Sequence, residues 1–381
     1  MLREKITILS GGSAIKDIMF ELLKYSVDIT RVVPSTDNGA SSKELRDVFG
    51  ILSVGDIRQS LAISIPHTQS NKQLVKFINW RFAIEDTSID ELKKLVEDKQ
   101  SLLYQISSTL SIQEKLIEYL EIFLQQPQSI NLNLNNGSIG NFLLVGAYLK
   151  YQKNWNRAIA QLENIFGCKA KVLPIYLNNS YHLKANFYNG TIIYGESEIT
   201  SFRRDEKQNI ESLQICQLDD KKFTDILPIV NIKVINSIDE SDTIVFSPGS
   251  LFTSILPHLV NQEVLLSLSH NQKAKKVFLI NLVQDSETIG YTAFDIIQKV
   301  ESIANKRGFK IEELITDIII NNNHSQISFF NSQKERKCYI QKGELEIYRQ
   351  RGISIIIRDL EDPWKRGEFD PQEVVKILLS L

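Results

Sequence analysis

The chain has 381 residues, 43% of them hydrophobic and 24% charged, with 44 Lys plus Arg against 46 Asp plus Glu and a formal charge of −2. That length suits one large α/β domain or two smaller ones, and the composition excludes wholesale disorder, collagen and coiled coil. The balanced charge removes the positive field of a dedicated nucleic-acid binder.

The first predicted unit is a strand over Lys5 to Ser10, the loop Gly11-Gly12-Ser13-Ala14, and a helix over Ile15 to Tyr25, with Ile15, Ile18, Met19 and Leu22 at helical spacing. A second strand, Ile29 to Val33, leads through Pro34 to Ser42 into a short helix. Residues 67–130 contain no glycine and carry helical periodicity in Leu74, Phe77, Ile78 and Phe82, then Leu116, Ile117, Leu120 and Phe123. They read as an inserted helical subdomain. Residues 170–235 read as a β-rich excursion within the core, with strands over Val172 to Leu177, His182 to Tyr188 and Thr191 to Glu196 and a hairpin turn at Asn189-Gly190. Strands follow at Thr243 to Phe246, Lys276 to Leu282, Asp317 to Ile320 and Ile353 to Arg358, with helices from Leu251, over Ala293 to Ala304, and from Pro371. Apolar strands alternating with helices predict an α/β fold: a Rossmann-like, mostly parallel sheet with helices on both faces. Its core would comprise 1–66 and 131–381.

Cys168, Cys216 and Cys338 are widely spaced and form no Cys-x-x-Cys pair, which opposes a disulfide framework or zinc ribbon and fits a reducing compartment. No window approaches the roughly 18 apolar residues of a membrane helix, and the N-terminus runs straight into the first strand. The expectation is a cytoplasmic protein without a membrane span.

Five small-residue loops are all expected to follow strands and open helices, and in an open parallel sheet such ends share one edge, where ligands bind. Gly11-Gly12-Ser13 is either an anion site or a tight turn; it is neither a Gly-x-Gly-x-x-Gly fingerprint nor a P-loop. Asp37-Asn38-Gly39-Ala40-Ser41-Ser42 could hold phosphate or Mg²⁺, or form an Asx-turn with Ser41 or Ser42 capping the next helix. In Gly55-Asp56-Ile57-Arg58, Arg58 suits a phosphate and Asp56 an N-cap. Asn136 and Asn141 offer carboxamides for a base or sugar. The hydroxyls after Gly249, beginning with Ser250, bind phosphate or cap a helix. Glu287 is a candidate acid/base or metal-linked carboxylate, or part of a solvated loop. The five histidines form no His-x-x-x-His pair, against catalytic zinc; His324 follows a strand and could reach the rim.

At these loops the chain resembles the superfamily of 2-phospho-L-lactate transferase and the gluconeogenesis factor, the CofD-like proteins. Gly11-Gly12-Ser13-Ala14 resembles the family's G-G-T-G, Asp37 to Arg46 its D-D-G-G-S-S-G-x-L-R, and Val54 to Arg58 its P-G-D-I/L-R. Asn136 to Asn141 resembles N-H-x-x-G-N, Ser247 to Pro257 is similar to G-P-G-S-L-Y-T-S-I-L-P, and Gln284 to Thr292 to Q-P-G-E-T-x-G-Y-T. The resemblance implies a nucleotide-binding core with a helical insertion, a homodimer, and a GDP- or UDP-linked diphosphate conjugate as ligand. One branch transfers a phospholactyl-type group using Mg²⁺; another binds UDP-sugars and regulates without an established reaction. Asn38 stands where the family has a second acidic residue, Gly137 replaces a histidine, Ala14 and Ala40 replace glycines, and Ile289 replaces a polar or acidic residue.

On that resemblance Gly11, Gly12, Ser13, Gly249 and Ser250 would cradle the diphosphate, and Asp37 would hold Mg²⁺ as a catalytic ligand. Asn38 and Asn141 would orient sugar or acceptor, with Ser41, Ser42, Asn136 and Glu287 completing the binding set. Arg58 would neutralise the leaving diphosphate. The alternative is a non-catalytic UDP-sugar-binding regulator; a nicotinamide oxidoreductase lacks its fingerprint.

Overall fold

A computed structural model describes residues 3–84, 87–106, 110–130, 132–202, 210–288, 291–322, 344–365 and 367–381. Strands β1 (Lys5–Leu9), β2 (Asp28–Val33) and β3 (Ala170–Pro174) are joined by β8 (Thr243–Phe246), β9 (Lys275–Leu279), β10 (Asp317–Asn321) and β11 (Ser354–Arg358) in one parallel sheet of order β11-β10-β9-β8-β1-β2-β3. Between β3 and β8 in sequence lie β4 (Tyr181–Phe187), β5 (Ile192–Tyr194), β6 (Ile210–Asp219) and β7 (Lys222–Asp225), an antiparallel sheet of order β5-β4-β6-β7.

The apolar strands are continuous because both faces of the parallel sheet are covered. Ile6, Ile8, Val245, Val277, Leu279 and Ile319 pack with helices Lys16–Leu22 and Pro371–Leu378. The alternate residues Leu9, Ile244, Phe246, Phe278 and Ile318 join a second core with helix Ala293–Lys306 and the inner face of the antiparallel sheet. A third core, at the β2–β3 edge, gathers helices Gly55–Ser64, Ile139–Lys150 and Trp155–Phe166 together with the inserted helices Lys72–Asn79, Ile89–Glu97 and Leu110–Leu124. The insertion thus shares its core with its neighbours. Its fit is close: a Cβ on Gly146 of helix Ile139–Lys150 would overlap the Tyr119 carbonyl of helix Leu110–Leu124.

One strand differs from expectation. The segment read as opening the β-rich excursion pairs instead with β2, Ile29 opposite Ala170 through Val33 opposite Pro174. Its alternating burial suits an edge strand, and periodicity alone does not say which sheet a strand joins. The hairpin at Asn189-Gly190 forms as expected, with Gly190 at φ +83° between β4 and β5.

The chain runs outward from β1 to β3 and returns beside β1 to begin β8. The connections leaving β1 and β8 therefore diverge, opening a crevice beyond their carboxyl ends.

Candidate functional site

The loop leaving β1 is held from below. Arg31, in the middle of β2 and fully buried, donates from Nη2 to Ser10 Oγ (3.1 Å), Gly11 O (2.9 Å) and Gly12 O (3.2 Å). Lys16 N then donates to Ser13 O at 3.0 Å as the helix begins, with Ser13 exposed. A Cβ on Gly12 would lie 2.4 Å from both Asp56 Oδ1 and Gln59 Oε1, so a larger residue here would have to displace those two side-chain ends on helix Gly55–Ser64.

The loop leaving β2 forms the Asx-turn, with Gly39 N donating to Asp37 Oδ1 at 2.7 Å. Ser53 Oγ donates to Asp37 Oδ2 at 3.4 Å. Gly39, rather than Ser41 or Ser42, occupies the N-cap of helix Ala40–Phe49. Ser42 is buried against Gly55, and the side chain of Ser41 lies outside the described residues. Arg46 pins the loop to the start of β4, donating to Thr36 O (3.0 Å), Asp37 O (2.8 Å), Asn179 O (3.1 Å) and Tyr181 O (2.8 Å). Asn38 is tied to the first turn of helix Glu196–Ser201: its Oδ1 accepts from Ser197 N (2.9 Å) and Ser197 Oγ (3.1 Å).

Asp56 is not a helix cap. Val54 holds that position without a side-chain bond, and the Asp56 carboxylate faces Gly12 from the first turn. Arg58, on the same helix, is buried and donates from Nη1 to Asn79 Oδ1 of the insertion, while its Nε has no partner among the described residues. Asn136, at φ +54°, ties insertion to core through its backbone: its N–H donates to Ala83 O (2.7 Å) and its carbonyl accepts from Arg81 (2.8 Å). Asn141 is buried in the first turn of helix Ile139–Lys150.

The loop leaving β8 is closed from within. Asn281 exchanges bonds with Gly249, Oδ1 accepting from its N–H at 2.9 Å and Nδ2 donating to its carbonyl at 2.8 Å. Glu287, 3% exposed, receives Phe252 N (2.9 Å) and Thr253 N (3.2 Å) at Oε2, and Thr253 Oγ1 (2.6 Å) and Thr200 Oγ1 (3.2 Å) at Oε1. Its carboxylate occupies the amino end of the turn that Ser250 opens, where a ligand anion would otherwise sit. Neither a solvated loop nor a free acid/base describes it. His324, Ile289 and Gly290 lie outside the described residues.

The rim carries strained charge. Asp56 is pushed up to about 7, by burial first and then by the Asp37 charge, with Arg31 and Arg58 opposing. Burial also raises Asp37, against its bond from Gly39 and the Arg46 charge. Glu196 is raised well above the usual carboxylate range by burial and by Asp37, Asp56 and Glu287, and its Oε2 has no hydrogen-bond partner among the described residues. Burial lowers Arg31 and Arg58 to about 10. Such carboxylates favour a proton or an added cation.

Among the described residues no group of three or more His, Cys, Asp or Glu is set to hold a metal. The oxygen donors fit Mg²⁺ arriving with phosphates and water, which needs only one or two carboxylates. Asp37 is the loop carboxylate that would supply one of them.

Sequence reasoning missed Arg31 and Glu196 and gave Asp56 only a capping role. The available signal was a basic residue inside the apolar strand Asp28–Val33, which a buried parallel strand accepts only with acceptors in place.

A family model described as "2-phospho-L-lactate transferase CofD" matches residues 6–361. A protein of Bacillus subtilis called gluconeogenesis factor is 28% identical over 78% of this chain and 74% of its own length. A protein of Halalkalibacterium halodurans with the same name is 26% identical over 79% and 74%. The crystal structure of a member of the UPF0052 family from Bacillus halodurans superposes with a TM-score of 0.70 over 100% of this chain and 99% of that one, at 21% identity. It shares the fold. No helix among the described residues is long and apolar enough to cross a membrane.

Proposed function

Since the chain belongs to the 2-phospho-L-lactate transferase CofD family, we propose that it binds a nucleotide-diphosphate conjugate across the ends of β1 and β2 and transfers the conjugated phosphorus-containing group to an acceptor hydroxyl. The observation that carries this reading is the convergence of Gly12, Asp56 and Asp37 at the crevice. Asp56 Oδ1 lies 2.4 Å from where a Cβ of Gly12 would be, and Asp37 Oδ2 lies 3.3 Å from the equivalent point on Gly55. Backbone amides at the Gly11–Ser13 loop meet phosphate oxygens. The acceptor oxygen forms a bond to the conjugated phosphorus as the bond from that phosphorus to the nucleotide oxygen breaks. The acceptor proton passes to Asp56, whose value near 7 suits a general base. Arg58 faces the charge that develops on the leaving nucleoside phosphate. Asp37 would hold Mg²⁺, which when bound neutralises phosphate charge.

A second reading is supported by Asn38 and by the relatives called gluconeogenesis factor: a regulator that binds a UDP-sugar without turnover. Asn38 spends its carbonyl on Ser197, leaving Asp37 as the loop's carboxylate. Incubation with GDP- and UDP-linked donors, with Mg²⁺ or EDTA, separates the two. Transfer predicts nucleoside phosphate release that needs Mg²⁺ and falls at least about 100-fold in Asp37→Ala. Equal release by the variant contradicts that mechanism, and EDTA-resistant UDP-sugar binding with no product supports the regulator.

A further inference from the structure

Arg31 is an unusual residue to find at 0% exposure in the middle of a parallel sheet. Burying a guanidinium is costly unless its donors are satisfied, and among the described residues only Nη2 finds acceptors, three neutral oxygens. Nε and Nη1 have no partner among the described residues. Among the described residues no carboxylate is hydrogen-bonded to it; the acidic group whose charge it feels is Asp56, across the Gly12 loop.

We propose that Arg31 is a positioning residue that locks the Gly11–Gly12 and Gly12–Ser13 peptides with their N–H groups facing the rim, as the seat for a ligand's phosphate oxygens. The inference deepens the diphosphate reading above and rests on it. Both peptides are trans, and in a trans peptide the N–H points opposite to the C=O. With Gly11 O and Gly12 O drawn down to Arg31, the amides of Gly12 and Ser13 are turned away from it. Neither amide donates to an acceptor among the described residues. The cation behind the two carbonyls also polarises both peptides, which strengthens their N–H groups as donors to an anion. A neutral side chain would leave those carbonyls free to rotate outward and present oxygen to the ligand.

The test is calorimetric titration of the full chain, in EDTA, with inorganic pyrophosphate, UDP and GDP, comparing the parent with Arg31→Met and Arg31→Lys. Pyrophosphate should bind the parent, and Arg31→Met should bind it roughly 10- to 100-fold more weakly, as expected for losing oriented hydrogen bonds to a charged ligand. Arg31→Lys, which keeps the charge without the fork, should recover part of that loss and carries the test if Arg31→Met does not fold. Glycine-selective ¹⁵N spectra give a readout that a merely structural role would not move. Pyrophosphate should shift the Gly12 amide strongly in the parent and weakly in the variants. Parent-like affinity and Gly12 shift in both variants overturn the proposal, as does a parent that binds no pyrophosphate. UDP and GDP binding no tighter than pyrophosphate counts against the nucleotide reading alone and leaves Arg31 in its role.

Discussion

The loops leaving β1 and β8 look alike in sequence, each a turn of Gly and Ser between an apolar strand and a helical segment, and they flank the same crevice. They are opposite in chemistry. At β1 the carbonyls are drawn inward by a buried cation, Arg31, and the Gly12 and Ser13 amides have no acceptor among the described residues. At β8 the Gly249 amide is taken by Asn281, and the amides that follow the loop, Phe252 and Thr253, are satisfied by a buried anion, Glu287. A glycine-rich turn before a helix is therefore an anion seat only if the chain has not filled it, and long-range side chains decide that.

The largest test of the contrast is at Glu287. Replacing it with Ala leaves two buried amides and two hydroxyls without their acceptor, so the unfolding free energy should fall by about 3–5 kcal/mol in urea titrations. If the folded variant keeps its turn, pyrophosphate should then bind a second time, at the β8 end. A stability change under 1 kcal/mol would mean that Glu287 is not the internal counter-anion.

The paired glycines sharpen the same point. Gly12→Ala drives a Cβ against Asp56 and Gln59, and it should cost about 1–3 kcal/mol of stability and at least about tenfold in pyrophosphate affinity. Gly249→Ala meets only ordinary contacts but must hold φ +152°, so a loss of about 1 kcal/mol is expected, with affinity unchanged. Equal effects on affinity from the two variants would erase the distinction between the loops.

A separate effect is in pH dependence. Asp56 has a folded value near 7 against an unfolded value near 4, so the folded protein holds the proton more tightly. Its contribution to stability is fully present below the unfolded value and is lost as pH rises through about 7. Urea midpoints of the unliganded parent should therefore decline from pH 4 to 7 relative to Asp56→Asn. Parallel curves for the two proteins would place Asp56 in an ordinary solvated setting.

Much of this architecture was legible because both period and punctuation agree. The apolar runs at Lys5–Leu9, Thr243–Phe246 and Asp317–Asn321 are buried on both faces, and strands of that kind imply helices above and below. The helical insertion announced itself by its lack of glycine. What sequence reading could not supply was destination: which sheet Ala170–Pro174 joins, and what Asn38, Asp56 and Glu287 touch. Asn38 meets Ser197 across 159 positions and Glu287 meets Phe252 across 35, contacts set by tertiary packing rather than by local motif. Arg31 was hidden for the same reason, since its meaning lies in the Gly11 and Gly12 carbonyls of the neighbouring strand's loop.

The most direct test is a crystal structure of the full chain with inorganic pyrophosphate. The account predicts phosphate oxygens on the Gly12 and Ser13 amides, with Glu287 still bonded to Phe252 and Thr253. Pyrophosphate on the Phe252 and Thr253 amides, with Glu287 displaced and the β1 loop empty, would contradict it.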